Sequence, residues 1–174
     1  MKYIFPVLVA VMICGSCKTN KPDLGIVDAY APIYLSKTAS ETITQLPPQP
    51  IEQGGKIAKL GRYLYQVENN KGIHVIDVIN PSTPVRKAFI SIPLCQELTL
   101  KGNYLYTNNN LDLVVINLTD VNAIAVTSRI KNAFPELAPP FPTQTGIYFE
   151  CADLAKGVVI GWELKKVDNP KCSR

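Results

Sequence analysis

The sequence predicts an all-β protein: two to three β-propeller-like, four-stranded repeats packed face to face, an incomplete propeller with too few blades to close. Three observations predict it. The block GRYLYQVENNKGIHVIDV, starting at Gly61, returns as GNYLYTNNNLDLVVINL from Gly102, about 41 residues on. The second half of each block is apolar on both faces of a strand, and each block is split by an Asn-rich connection and followed by turn residues. Four strands in about 40 residues, repeated, match the dimensions of a propeller blade.

Residues 1–16 read as a secretory signal, with one lysine, an apolar run from Tyr3 to Ile13, then Gly15 and Ser16 before Cys17. A run this short does not span a bilayer comfortably, and a basic start with a small-residue exit marks a segment removed on export. Small residues just before a cysteine resemble a bacterial lipobox, which makes Cys17 the expected site of lipid attachment. Cys14 does not fit, because Ile13 is too bulky at the cleavage position. An ordinary secretory signal with an incidental cysteine is the plainer alternative.

Removal of residues 1–16 leaves about 158 residues, enough for one compact domain. The net charge falls from +4 to +3 with the loss of Lys2. The charges are scattered, so a nucleic-acid partner, which needs a concentrated basic footprint, is excluded. Residues 17–53 are expected to hold the lipidated cysteine, a Pro- and Thr-rich tether and one short strand in APIYLS (31–36). The β-repeat domain is expected over 54–174, with repeats at about 54–94, 95–135 and, in part, 141–174.

Each repeat reads as an aromatic strand, a turn and an aliphatic strand. Asn69, Asn70 and Gly72 in the first copy, and Asn108, Asn109 and Asn110 in the second, are expected at positive φ, which Asn and Gly tolerate best. Asn80-Pro81-Ser82-Thr83-Pro84 and Thr119-Asp120-Val121-Asn122 then supply turn chemistry before KAFISI and AIAVTSRI. In KGIHVIDV, Ile73 and Val75 point one way and His74, Ile76 and Val78 the other. A strand apolar on both faces must be covered on both, so each face is expected against the sheet of a neighbouring blade. A third, weaker copy, GIYFECADLAKGVVIGW, stops soon after Trp162. Either the N-terminal strand completes its sheet, giving a compact stack, or chains associate to share a ring; the first is the reading adopted.

Three cysteines other than Cys17 remain in the mature chain: Cys95, Cys151 and Cys172. In an oxidising compartment two should pair. Cys151 with Cys172 would anchor the C-terminal tail; Cys95 with Cys151 is the competing assignment. The only histidine, His74, lies in a strand and is read as a packed residue. Glu68-Asn69-Asn70 and Asn108 to Asp112 carry oxygen ligands of the kind that hold Ca2+, but hairpin turns have the same composition, and no metal or other cofactor is expected. Glu150, Cys151 and Asp153 read as a disulfide-anchored loop. Trp162 reads as core, with sugar stacking the alternative. GxSxG, HExxH and Gly-rich phosphate loops are missing, and no enzyme activity is expected.

IHVID (73–77) and LVVIN (113–117), each behind a Gly-x-Tyr-Leu-Tyr strand, resemble the LVIVD repeat over roughly residues 54–135. His74 and Asn117 depart from the pattern. The resemblance implies a β-propeller-like fold and an envelope-anchored bacterial lipoprotein. The expected function is therefore a non-catalytic protein-interaction module, held to the outer membrane through its lipid, bound to a protein partner in the cell envelope. A glycan- or small-ligand-binding lipoprotein is the alternative. Cys17-Lys18-Thr19-Asn20-Lys21 lacks the acidic residues typical of surface-exported lipoproteins, which favours the periplasmic face.

Overall fold

The computed structural model describes residues 23–134 and 141–174; residues 1–16 and Cys17 lie outside them. In chain order the elements are β1 (Ile26–Leu35), a short helix α1 (Lys37–Glu41), β2 (Thr44–Leu46), β3 (Gly54–Leu60), β4 (Tyr63–Glu68), β5 (Gly72–Asp77) and β6 (Val85–Ser91). There follow β7 (Leu98–Lys101), β8 (Tyr104–Asn109), β9 (Asp112–Asn117), β10 (Ala125–Ile130), β11 (Tyr148–Phe149), a 3-10 turn at Leu154–Lys156, β12 (Val158–Asp168) and β13 (Cys172–Ser173). The strands form three sheets, ordered β2-β6-β5-β4-β3, β10-β9-β8-β7 and β12-β1-β11-β13. The fold is all-β, and its open sheets make an incomplete propeller.

The first two sheets contain the two repeats, and the same local chemistry folds both. Each is an antiparallel meander, β3 to β6 and β7 to β10. Gly61 (φ 57°) and Gly102 (φ 56°) close the first turn of each, and Asn70 (φ 63°) and Asn110 (φ 54°) the second. After the aliphatic strand, Asp77 Oδ1 accepts from the Ile79 N–H at 3.0 Å and Asn117 Oδ1 from the Thr119 N–H at 2.8 Å. Two carboxamide or carboxylate oxygens thus close the same turn, so the Asp-to-Asn departure leaves the backbone unchanged. A register shift interrupts the last strand pair at the same place in both repeats, between Val75 and Ile76 and between Val115 and Ile116.

Ile73 and Val75 of the first sheet pack with Tyr65 and Val67 against Leu105, Val114 and Ile116 of the second. All seven are essentially inaccessible to solvent. Each such aliphatic side chain contributes about 1.5–3 kcal/mol relative to exposure, so this inter-repeat layer is the main core.

The strand read in APIYLS is the second half of β1, which joins β12 and β11 in the third sheet, and α1 and β2 also fold within 17–53, with β2 antiparallel to β6. Three expectations need correction. The third copy is not a repeat hairpin, because β1 lies between β12 and β11. β1 pairs antiparallel with β12 over ten residue pairs from Ile26↔Asp168 to Leu35↔Val158, and parallel with β11 at Tyr30↔Phe149. A weak third copy fails to form its own pairing because the ten-residue β1 offers β12 a longer ladder. Asn69, Asn108 and Asn109 do not have positive φ; Asn108 and Asn109 are strand residues, buried and hydrogen-bonded. Finally, the His74 face of β5 is not covered by a neighbouring blade, as the site geometry shows.

Candidate functional site

The registers let the two repeats be compared row by row. In the second, Leu100 pairs with Leu105, Leu105 with Ile116, and Ile116 with Val126, a transverse apolar row whose centre is sealed in the core. In the first, Lys59 pairs with Leu64, Leu64 with Ile76, and Ile76 with Arg86. The two central residues are identical, Leu and Ile in both rows, but the flanks are cations. This face of the first repeat borders a groove of about 950 Å3, lined by Leu64, Ile76, Val78, Ile79 and Ile51. Ile79 is 69% exposed. No carboxylate lines the groove among the described residues. Arg62, also at its wall, is ion-paired with Asp77.

The other half of the same face is closed by the chain itself. The segment 47–53, which belongs to no helix or strand, is fastened to it at Gln49 and at Glu52 and Gln53. Arg86 Nη1 donates to the Gln49 carbonyl at 2.8 Å. Glu68 accepts the Gln53 N–H at 2.5 Å and the Glu52 N–H at 3.1 Å. His74 Nε2 lies 2.9 Å from the same carboxylate, and its ring rests 4.8 Å from that of Phe89. Burial pushes the Glu68 carboxyl up, but His74 and the two backbone N–H groups outweigh it and hold it below the usual carboxylate range. His74 is fully buried and its Nδ1 has no hydrogen-bond partner. A ring with no access to solvent and one nitrogen committed to Glu68 is a packed residue that orients a clasp.

The Asn-rich end of the second repeat is a second polar centre, also internally committed. Asn108 Oδ1 accepts from the Gln96 and Glu97 N–H groups at 2.8 and 3.0 Å, and its amide donates to the Leu94 carbonyl at 2.8 Å. Asn109 donates to the Ser40 and Pro93 carbonyls, at 2.8 and 2.7 Å. Arg129 donates to Asn109, to Asp112 and to the Glu41 carbonyl, at 2.7, 2.8 and 2.8 Å. Lys131 bridges Glu41 and Asp112 at 2.9 and 3.1 Å. Burial raises the Asp112 carboxyl, and Arg129, the Asn132 N–H and Lys131 more than reverse the effect, leaving it low. Side-chain oxygens of Asn108, Asn109 and Asp112 are thus occupied by protein donors, and no group of three or more His, Cys, Asp or Glu that could hold a metal occurs among the described residues.

Asn108, Asn109, Asp112 and Lys131 border a cavity of about 830 Å3 that Trp162 and Phe141 also line. Trp162 is half-buried and meets Phe149 edge-on at 5.4 Å. Beyond it, Cys151 and Cys172 form a disulfide that ties the loop after β11 to β13. Asp153 caps the 3-10 turn, accepting the Ala155 N–H at 3.0 Å, and Glu150 lies 3.7 Å from Lys156. Cys95 is free and buried, 3.1 Å from Thr107 Oγ1, and burial pushes its thiol up to about 11. No helix among the described residues is long and apolar enough to cross a membrane.

Sequence reading missed the open groove. The signal was present: aligning the repeats sets Lys59 on Leu100 and Arg86 on Val126, charges where the other copy is apolar. The clasp over His74 had no sequence signal, since 47–53 lies outside the repeat.

The model of the LVIVD repeat matches residues 54–89 and 95–122. Those spans run from β3 into β6 and from just before β7 to the turn before β10, and leave out the third sheet. No curated protein and no solved structure matches the chain.

Proposed function

From the premise that the chain is an LVIVD-repeat protein, we propose that it is a lipid-anchored, non-catalytic interaction module of a bacterial cell envelope, tied to the outer membrane through Cys17 on the periplasmic side and presenting its sheets to a protein partner. The observation that carries the reading is the unequal coverage of two equivalent faces. The Leu105–Ile116 face is packed against another sheet, whereas the Leu64–Ile76 face, built to the same pattern, is left half open beside an exposed Ile79. An apolar face rimmed by polar groups is the usual form of a docking surface. The non-catalytic part is supported by commitment of the chemistry-bearing groups: His74 to Glu68, Asp112 to Arg129 and Lys131, and Cys95 to a buried site with a raised pKa.

Two measurements test the two halves of the proposal. Metabolic labelling with an alkyne-bearing fatty acid should mark the wild-type chain and not Cys17→Ser, and labelling of both or neither would remove the anchor. A photo-crosslinking residue in place of Ile79 in the native envelope should capture a protein, whereas one in place of Val126, on the equivalent flank of the second repeat, should not.

A second reading, binding of a glycan or small ligand, is favoured by the Trp162 cavity. It predicts that a soluble sugar raises the melting temperature of the wild type and not of Trp162→Ala. Because the asparagines and Asp112 bordering that cavity are already bonded within the protein, it has fewer free polar groups than its composition suggests.

A further inference from the structure

Building on the interaction-module reading, we infer that the open groove of the first repeat takes an extended segment of a partner protein in which an apolar side chain is flanked by carboxylates, in the order acid, any residue, apolar, any residue, acid. Three features carry the inference. The first is the substitution of the flanks. The row that reads Leu–Leu–Ile–Val in the covered repeat reads Lys–Leu–Ile–Arg in the open one, with registers matched residue for residue. A face meant for another apolar sheet has no use for cations at its ends, and desolvating them unpaired would be costly; a face meant for an apolar residue between two anions does.

Charge balance is the second feature. Asp77 neutralises Arg62, while Lys59 makes no ion pair among the described residues and Arg86 is satisfied only by the Gln49 carbonyl. No carboxylate lines the groove, so the surface is net positive around an apolar floor. A second copy docking through the same groove would oppose Lys59 and Arg86 to themselves, which disfavours a symmetric dimer.

Third, the chain itself already lays a backbone segment on this face. Residues 49–53 are held there, with Ile51 lining the groove, the Gln49 carbonyl held by Arg86 and the Glu52 and Gln53 N–H groups by Glu68. The open half continues a face already covered by peptide. Spacing then sets the motif. Lys59 and Arg86 stand on strands three intervals apart, about 14 Å at normal strand spacing, which an extended chain spans in about four residues. Carboxylates four apart therefore fall on the two cations, and the residue midway points in the same direction, onto Leu64 and Ile76.

The test uses the folded mature chain and the peptide Ser-Glu-Ser-Leu-Ser-Glu-Ser at about 1 mM, a concentration suited to weak binding, with the methyl resonances of Ile76 and Ile79 as readout. Binding is expected for this peptide and about tenfold weaker when Lys replaces Glu, when the two Glu are only two residues apart, or in Lys59→Glu; the difference should shrink with added salt. Lys59→Gln, which removes one charge at an exposed site, guards against misfolding of the reversal variant. No perturbation, or equal binding of acidic and basic peptides, overturns the inference. So do binding of phosphatidylglycerol vesicles in place of the peptide, and concentration-dependent self-association abolished by Lys59→Glu. If the crosslinker at position 79 captures a protein while the peptide fails, the chemistry assigned to the partner falls and the interaction reading survives; if neither gives a signal, both fall.

Discussion

The row Lys59–Leu64–Ile76–Arg86 in the first repeat and the row Leu100–Leu105–Ile116–Val126 in the second hold the same places in the same meander. They differ in what lies on top. A sheet covers the second; a seven-residue strip and an open groove cover the first. The comparison teaches that a repeat pattern specifies a packing face without specifying its cover. Cover is decided by neighbours in space, and at the end of an array there is no neighbour on one side. Terminal units in stacked folds need a polar cap for this reason. Here the cap is partial, made by residues 47–53 and clasped by Glu68.

The largest test of this difference is a matched pair of truncations. Leu105→Ala, in the sealed row, should lower the unfolding free energy by about 2–5 kcal/mol, and Leu64→Ala, its half-exposed equivalent, by about 1 kcal/mol. Urea unfolding of both variants is the measurement. Equal losses would mean that the first face is as tightly packed as the second, and the groove could not serve as a docking surface.

The third sheet sharpens the comparison from outside the repeats. It depends on β1 and on the Cys151–Cys172 link, whose partners are 21 residues apart. Replacing both cysteines by serine should cost roughly 3 kcal/mol through the freed loop. The loss should be local, with amide exchange rising at Phe149 and Arg174 while amides of β5 and β9 stay protected. Exchange rising uniformly would show one cooperative unit instead of a stable pair of repeats with an added sheet.

A smaller effect is expected at Gly72, where the repeats differ in backbone. A Cβ added there would fall 2.0 Å from the Ile90 carbonyl oxygen, and its φ is 148°. Asp112 begins the corresponding strand of the second repeat and carries a side chain without positive φ. Gly72→Ala should destabilise by more than about 1 kcal/mol, read from the urea midpoint, and Gly72→Asp, which copies the second repeat, should be no better tolerated. A neutral Gly72→Asp would show that the two hairpins are interchangeable.

Much of the repeat region was legible because its signals are local. Aromatic and aliphatic strands, a Gly and then an Asn at the two tight turns, and Asp77 or Asn117 closing the next one all act within a few residues of one another. What failed depended on contacts distant in sequence. GIYFECADLAKGVVIGW has the composition of a third hairpin completed by an N-terminal strand, yet β1 inserts between its two strands instead of adding at an edge, and its partner β12 lies more than 120 residues away. Likewise, His74 looked like a blade-facing residue because periodicity gives a side chain's direction and says nothing of what meets it. The asparagines at 108 and 109 have the composition of a turn, although their amides work from within a strand on the loops that carry Ser40, Pro93 and Leu94.

The smallest expected effect concerns the clasp, and here too the repeats part company: Glu68 occupies the last position of β4, and the last position of β8 is Asn109, which does not titrate. The Glu68 carboxyl is held lower in the folded chain than its ordinary value of about 4.3 in an unfolded one. The unfolded state therefore takes up this proton first as pH falls. The clasp's stabilisation is complete above the unfolded value and is lost as pH drops through the lower, folded one. Asp112 is lowered as well, so the total slope of stability against pH does not isolate Glu68; the difference between wild type and Glu68→Gln does. That difference should be about 1 kcal/mol at pH 7, the scale of a charge-assisted hydrogen bond weakened to a neutral one, and should narrow as the medium is brought to pH 3. Loosening of the strip should accompany it, as faster amide exchange at Glu52 and Gln53 in the variant. A difference that stays constant with pH would mean that the carboxylate's charge is immaterial, and that the strip is held over His74 and Phe89 by apolar contact alone.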